Sequence, residues 1–147
     1  SDQRALIRDV VATYQDLDIT VELHDPKLHF LDRLRLCAEV ATTRFVVLHA
    51  DDDLMLPAAL LQCADFLDSN SDHAACRGRS YFIKPVSSVS CKPAVHRSLS
   101  RLESSTAERI SAHCSAFTPT LYSLIRREVF IASCRDTLTF TDNVIFW

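Results

Sequence analysis

The sequence predicts an α/β domain, with a largely parallel sheet joined by crossover helices. Three observations predict it. Helical and strand-like apolar patterns alternate from the first residues to about residue 83. A short apolar run at 45–48 is followed at once by three carboxylates, Asp51, Asp52 and Asp53, and then by Pro57 at a helix start. The 147 residues are 48% hydrophobic and 24% charged, which suits one domain, residues 1–147, with its own core. No internal repeat and no linker divides the chain.

Taken in order, Leu6, Ile7, Val10, Val11 and Tyr14 have helical spacing over 5–16. Residues 18–25 alternate Ile19, Val21 and Leu23 with Thr20, Glu22 and His24, the pattern of a strand ending at Asp25 and Pro26. A helix is predicted over 30–43 from Leu31, Leu34, Ala38 and Ala41; Arg33 and Arg35 face either phosphate or solvent. The run at 45–48 is the central buried strand. Leu60, Leu61, Ala64 and Leu67 continue a helix from Pro57 to about Asp68, with Asn70 as its stop.

Residues 73–83 are predicted as a strand around a turn or bulge at Gly78. Residues 84–100, with two prolines and five serines, are predicted as a long loop. Lys84, Lys92, His96, Arg97 and Arg101 make it a candidate lid over a diphosphate. A further helix over 104–114 opens with Ser105 and Glu108 at capping-box spacing. Residues 120–125 are predicted as a strand, Arg126 and Arg127 as a corner, and 128–134 as a short helix. Asp142 stands where it would cap a last helix.

Composition excludes several classes. The formal charge of −3 argues against a nucleic-acid partner held by bulk electrostatics. No apolar run reaches the roughly 20 residues of a membrane span, and no apolar signal core follows a basic start. Gly78 is the only glycine, so neither a P-loop nor a GxGxxG turn is present. Any bound phosphate must therefore be held by metal and basic side chains. The six cysteines form no CxxC and no zinc-ligand spacing with histidine; most lie in apolar patterns and are expected as buried thiols. The compartment is left open.

The acid cluster is the chief functional candidate. Three adjacent carboxylates repel one another and call for solvent, donors or a cation. Mg²⁺ takes oxygen ligands, typically one or two carboxylates together with substrate phosphates. Alternation sends Asp51 and Asp53 to one side and Asp52 to the other. The competing reading is that Asp52 and Asp53 only cap and charge-complement the following helix. Asp25 has two readings as well: an acid at a strand end that receives a base or ribose, or a turn aspartate before proline.

VLHADDDLMLPAALLQCADFLDSNSD, residues 47–72, resembles the family 2 type of glycosyltransferases: a strand ending in ADDD, a helix opened by proline, and an "FL–acid–x–N–x–D" close. AACRGRSYF is similar to an "HGR"-like strand of that group, and FTPTLYSLIRREVF to an "xPTxYxxxRxE" segment. The three blocks in this order span most of the chain from Phe30 onward. The resemblance implies a GT-A fold: a Rossmann-like, three-layer α/β/α nucleotide-binding domain around a mixed sheet. It also implies a nucleotide-diphosphate sugar donor, a Mn²⁺ or Mg²⁺ ion, and an acceptor that is a glycan, lipid or protein.

Carried onto this chain, the motif places Asp53 on the metal. Asp51 and Asp52 lie near metal, ribose or sugar, and Asp25 faces the base. Asp142 is the candidate base for an inverting transfer, although the usual Glu-Asp pair is not present. The first strand of such a fold and the acceptor side are missing, so the fold is expected to be incomplete at both ends. Two alternatives stay open. One is a catalytically silent module of the same fold. The other is a receiver-like phosphotransfer domain, which lacks a well-placed lysine.

Overall fold

A computed structural model describes residues 3–50, 52–87, 90–96, 99–116 and 122–136. Along these, α1 (Gln3–Ala12) is followed by α2 (Phe30–Val40), β1 (Phe45–Val46), α3 (Pro57–Ser69) and β2 (Ala75–Cys76). Then come β3 (Ser80–Ser87), β4 (Ser90–His96), α4 (Thr106–Ser115), β5 (Leu124–Arg126) and α5 (Arg127–Asp136).

The strands form two sheets. One has the order β1-β5-β2 and the other is the β3-β4 pair. Both β1 and β2 run antiparallel to β5, with Val46 opposite Ile125 and Cys76 opposite Leu124. They therefore point the same way, and α3 is the crossover between them. The expected co-directional strands are present, but they are not neighbours: β5 lies between them, and every described pairing is antiparallel. The result is a small antiparallel sheet, not the largely parallel one expected.

Period-2 alternation divides this sheet between two cores. Val46, Leu48 and Ile125 pack with Leu34 and Ala38 of α2 and with Phe130, Ile131 and Cys134 of α5. Phe45, Val47, Leu124 and Cys76 pack on the opposite face against Leu60, Cys63, Ala64 and Leu67 of α3. Leu67 is completely buried. Helices thus cover both faces, α2 and α5 on one and α3 on the other. The two helices on the first face are also clasped at their rim, where Glu39 meets Arg35 and Arg135, each at 2.9 Å. Those guanidiniums, Arg135 foremost, hold the Glu39 carboxyl below its usual range. Arg35 thus serves a helix face.

The Arg126-Arg127 pair is more than a corner. Arg126 ends β5 and sends its guanidinium to three carbonyls at the close of α3, those of Leu67 (2.6 Å), His73 (2.9 Å) and Asn70 (3.1 Å). Arg127 opens α5, donates its amide to the Arg44 carbonyl (2.9 Å) and its guanidinium to that of Ala41 (2.8 Å). Each arginine closes the C-terminal end of a helix from another part of the chain, where carbonyls lack helical partners. The capping box of α4 forms as its sequence predicts: Ser105 accepts from the Glu108 amide, and Glu108 accepts in return from the Ser105 amide (3.0 Å).

Three sequence expectations are corrected. Residues 18–25 are not a strand. Ile19, Val21 and Leu23 are exposed and no strand among the described residues pairs with them; extended chain without a partner leaves its amides and carbonyls to water. The segment expected at 73–83 is split, with β2 in the three-stranded sheet and β3 in the second one. The predicted long loop is largely a hairpin: Tyr81 faces Val95, Phe82 faces Ala94 and Ile83 faces Pro93. A two-stranded sheet consists only of edges, so Pro85 and Pro93 are tolerated; the β-formers Tyr81, Phe82 and Ile83 set the pattern. The thiol expectation holds in part, since Cys63 and Cys134 are buried and Cys37 and Cys114 are exposed.

Two consequences are measurable. Leu67→Ala empties the centre of the α3 core and costs about 2–5 kcal/mol in denaturant unfolding, whereas Leu54→Ala, at a side chain 92% exposed, stays within about 0.5 kcal/mol. A thiol probe labels Cys37 and Cys114 in the folded protein, and Cys63 and Cys134 only on unfolding.

Candidate functional site

The three-stranded sheet brings the functional candidates to one edge. Beyond β1, residues 47–50 continue toward the acids, and Asp52 and Asp53 lie in the turn that follows, both exposed. The Asp53 amide closes this turn on the Ala50 carbonyl (3.4 Å). Because β5 is antiparallel to both neighbours, the residues before Leu124 lie at the same edge as the residues after β1 and β2. Tyr122 and Arg77 come to the acids in this way.

Tyr122 is the pivot of that edge. The Asp53 carboxylate stands beside its hydroxyl, and Asp52 lies within electrostatic reach. Its backbone has φ 67°, the left-handed region, and it is the only non-glycine residue with positive φ among those described. An L-residue in that region costs about 1–2 kcal/mol, more readily tolerated by glycine or asparagine. The pairing of Leu124 with Cys76 anchors the chain that follows it. The carboxylate beside it, by hydrogen bond first and by charge after burial, pushes the phenol above its ordinary value of 10.

Arg77 directly follows β2. Its guanidinium donates to the Ser80 hydroxyl (2.7 Å) and lies within electrostatic reach of Tyr122. Burial works against its charge, which Tyr122 in part supports. The turn that carries it passes close to α3: a Cβ at Gly78 would stand 3.8 Å from that of Ala59. Behind the edge, the Cys63 and Cys76 thiols are neighbours. Burial foremost, then Cys63, pushes the Cys76 thiol up to about 11. That pair is packing, not a nucleophile.

The sequence-derived candidates distribute as follows. Asp52 and Asp53 share the edge. Asp25 stands in a turn, where its carboxylate accepts the Lys27 amide (2.8 Å) and its carbonyl accepts the Leu28 amide (2.9 Å); with 18–25 unpaired, it does not end a strand. Asp51 and Asp142 lie outside the described residues. Of the lid cations, Lys92 lies on β4 opposite Lys84 on β3. Arg101 binds the Ala116 carbonyl and stands 4.0 Å from Glu103. Arg97 lies outside the described residues.

Tyr122 and Arg77 were not singled out from sequence, although both sit inside the blocks that carried the resemblance. The available signal was positional: each immediately flanks a short apolar run.

No group of three or more His, Cys, Asp or Glu side chains able to hold a metal occurs among the described residues. Asp52 and Asp53 provide exposed carboxylate oxygens, the ligand type that hard cations such as Mg²⁺ take. No helix of the described chain is long and apolar enough to cross a membrane. The chain matches no family model, no curated protein and no solved structure.

The Tyr122 environment has a titration signature. Nearby carboxylate disfavours the phenolate, so ultraviolet titration should show one tyrosine ionising above the ordinary range. In Asp53→Asn, which removes the charge, that ionisation should move down toward the ordinary value.

Proposed function

We propose that this is a metal-dependent glycosyltransferase domain of the family 2 type with a GT-A fold. It moves a sugar from a nucleotide diphosphate to an acceptor hydroxyl with inversion. The observation that carries this reading is the convergence of Asp52, Asp53, Tyr122 and Arg77 on the edge where β1 and β2 end. In α/β sheets, ligands bind at the carboxyl ends of the strands. Helices on both faces of the sheet are also a feature that the resemblance of 47–72 implies.

The roles follow from the chemistry. Asp53, with Asp52 and Asp51 beside it, supplies oxygen ligands for Mn²⁺ or Mg²⁺. When bound, that ion neutralises charge developing on the departing diphosphate and orients the donor. Arg77 offers a fixed positive charge at the same edge for a diphosphate oxygen. Asp142 takes the acceptor proton as its hydroxyl attacks the anomeric carbon. The acceptor is a glycan, lipid or protein.

A second reading is a catalytically silent module that binds the nucleotide sugar. It is favoured by the thin protein share of the metal site, two exposed carboxylates among the described residues.

Calorimetry with UDP and GDP, each with and without Mn²⁺, tests the donor site. Binding of one nucleotide should depend on Mn²⁺, and Asp53→Ala should abolish that dependence. A folded chain that binds neither nucleotide with either Mn²⁺ or Mg²⁺ overturns the donor-site reading. Turnover of a sugar donor then separates the enzyme from the silent module.

A further inference from the structure

Away from the acid edge, the unpaired segment 18–25 comes up against α2. From 18 to 27 every residue is exposed except His24, which is half-buried. The Nε2 of His24 stands 3.6 Å from the Sγ of Cys37. Leu34 and Ala38 are the positions of α2 that face the core, whereas Cys37 is exposed. Arg33 precedes Cys37 by one helical turn, the spacing at which side chains are neighbours on a helix face. Arg35 is committed to Asp32 and Glu39. Arg33 forms no ion pair among the described residues, and its Nε is buried without a hydrogen-bond partner. A thiol, a proton acceptor and an uncommitted cation thus share one open site. Exposure with positive charge nearby is the setting in which cysteines react, the reverse of the buried Cys63–Cys76 pair.

We propose that Cys37 is a modification site, where its thiol exchanges with small disulfides that carry a carboxylate. This stands apart from the donor-site reading. In the tautomer that carries its proton on Nδ1, His24 accepts the thiol proton on Nε2. Sγ then attacks one sulfur of the disulfide. A bond from Sγ to that sulfur forms, the original sulfur–sulfur bond breaks, and the departing thiolate takes the proton from His24. The products are a mixed disulfide on Cys37 and one free thiol, and the small disulfide is itself the oxidant. Arg33 receives the carboxylate of the incoming molecule.

The test follows Cys37 and Cys114 in the intact chain by peptide mass spectrometry. The probes are dithiobis(nitrobenzoate), an anionic disulfide, and cystamine, a cationic one. Cys114 is exposed too and serves as the reference; rates in denaturant correct for intrinsic differences between the two thiols. A free cysteine is only a few per cent thiolate at neutral pH, so a positioned base leaves room for a gain of about 10-fold. Native Cys37 should exceed Cys114 by that factor with the anionic probe. His24→Gln, which cannot take up a proton, should bring Cys37 down to the rate of Cys114. Arg33→Gln should slow Cys37 toward the anionic probe and leave its rate with cystamine unchanged. Native Cys37 reacting no faster than Cys114 overturns the proposal without any variant, so the question is decided even where a variant fails to fold. A His24→Gln variant with an unchanged or faster Cys37 makes the contact mere packing and also overturns it. An Arg33→Gln variant that slows both probes alike, or neither, overturns the assignment of a carboxylate-bearing substrate.

Discussion

Three residues of β5 carry hydrogen bonds on both edges at once, and both cores lean on them. Leu124 belongs to the core under α3, and Ile125 to the core under α2 and α5. Arg126 adds the third tie by closing α3 from outside, reaching the Leu67 and Asn70 carbonyls at the end of that helix and the His73 carbonyl in the turn beyond it. Without β5, β1 and β2 are two short segments of two residues each, too far apart to pair and too short to hold their faces. The chain that follows has no slack: α5 starts at Arg127, which at once binds the end of α2 and the strand region at Arg44.

The same insertion composes the candidate site. A strand that runs against its neighbours delivers its leading residues to the edge where they deliver their trailing ones. Asp52 and Asp53 come from beyond β1, Arg77 from beyond β2, and Tyr122 from before β5. In an all-parallel arrangement a residue preceding a strand would stand on the far side of the sheet. The contact between Tyr122 and Asp53 is therefore a product of topology, and no local pattern in either segment encodes it.

That distinction separates what was legible from what was not. Elements whose pattern is local came through: α2 from Leu31, Leu34 and Ala38, α3 from Pro57 to the residue before Asn70, and the capping box of Ser105 and Glu108. Alternation misled at 18–25, because Ile19, Val21 and Leu23 have the right period but no strand to pair with. Proline and serine misled at 84–100, because they report turns reliably in central strands and poorly in a hairpin that is all edge. The acid cluster was visible as a run of three aspartates. Its partners were not, since Tyr122 and Arg77 are distant in sequence and become neighbours only through the pairing of Cys76 with Leu124.

The position of β5 also sets the order in which the sheet can assemble. Phe45 pairs with Arg126, so the ladder closes a loop of about 80 residues, and its entropic cost falls due before any of its hydrogen bonds form. A chain made from its N-terminus exposes β1, α3 and β2 well before the strand that joins them exists. During that interval Phe45, Val47 and Cys76 have only α3 to cover them, and two strand edges stand open to other chains. Helix α3 is thus the early scaffold, and the two arginines that arrive last lock its end and that of α2. The nascent chain's most vulnerable period lies between the emergence of Cys76 and that of Leu124, a span that includes the exposed β3–β4 hairpin.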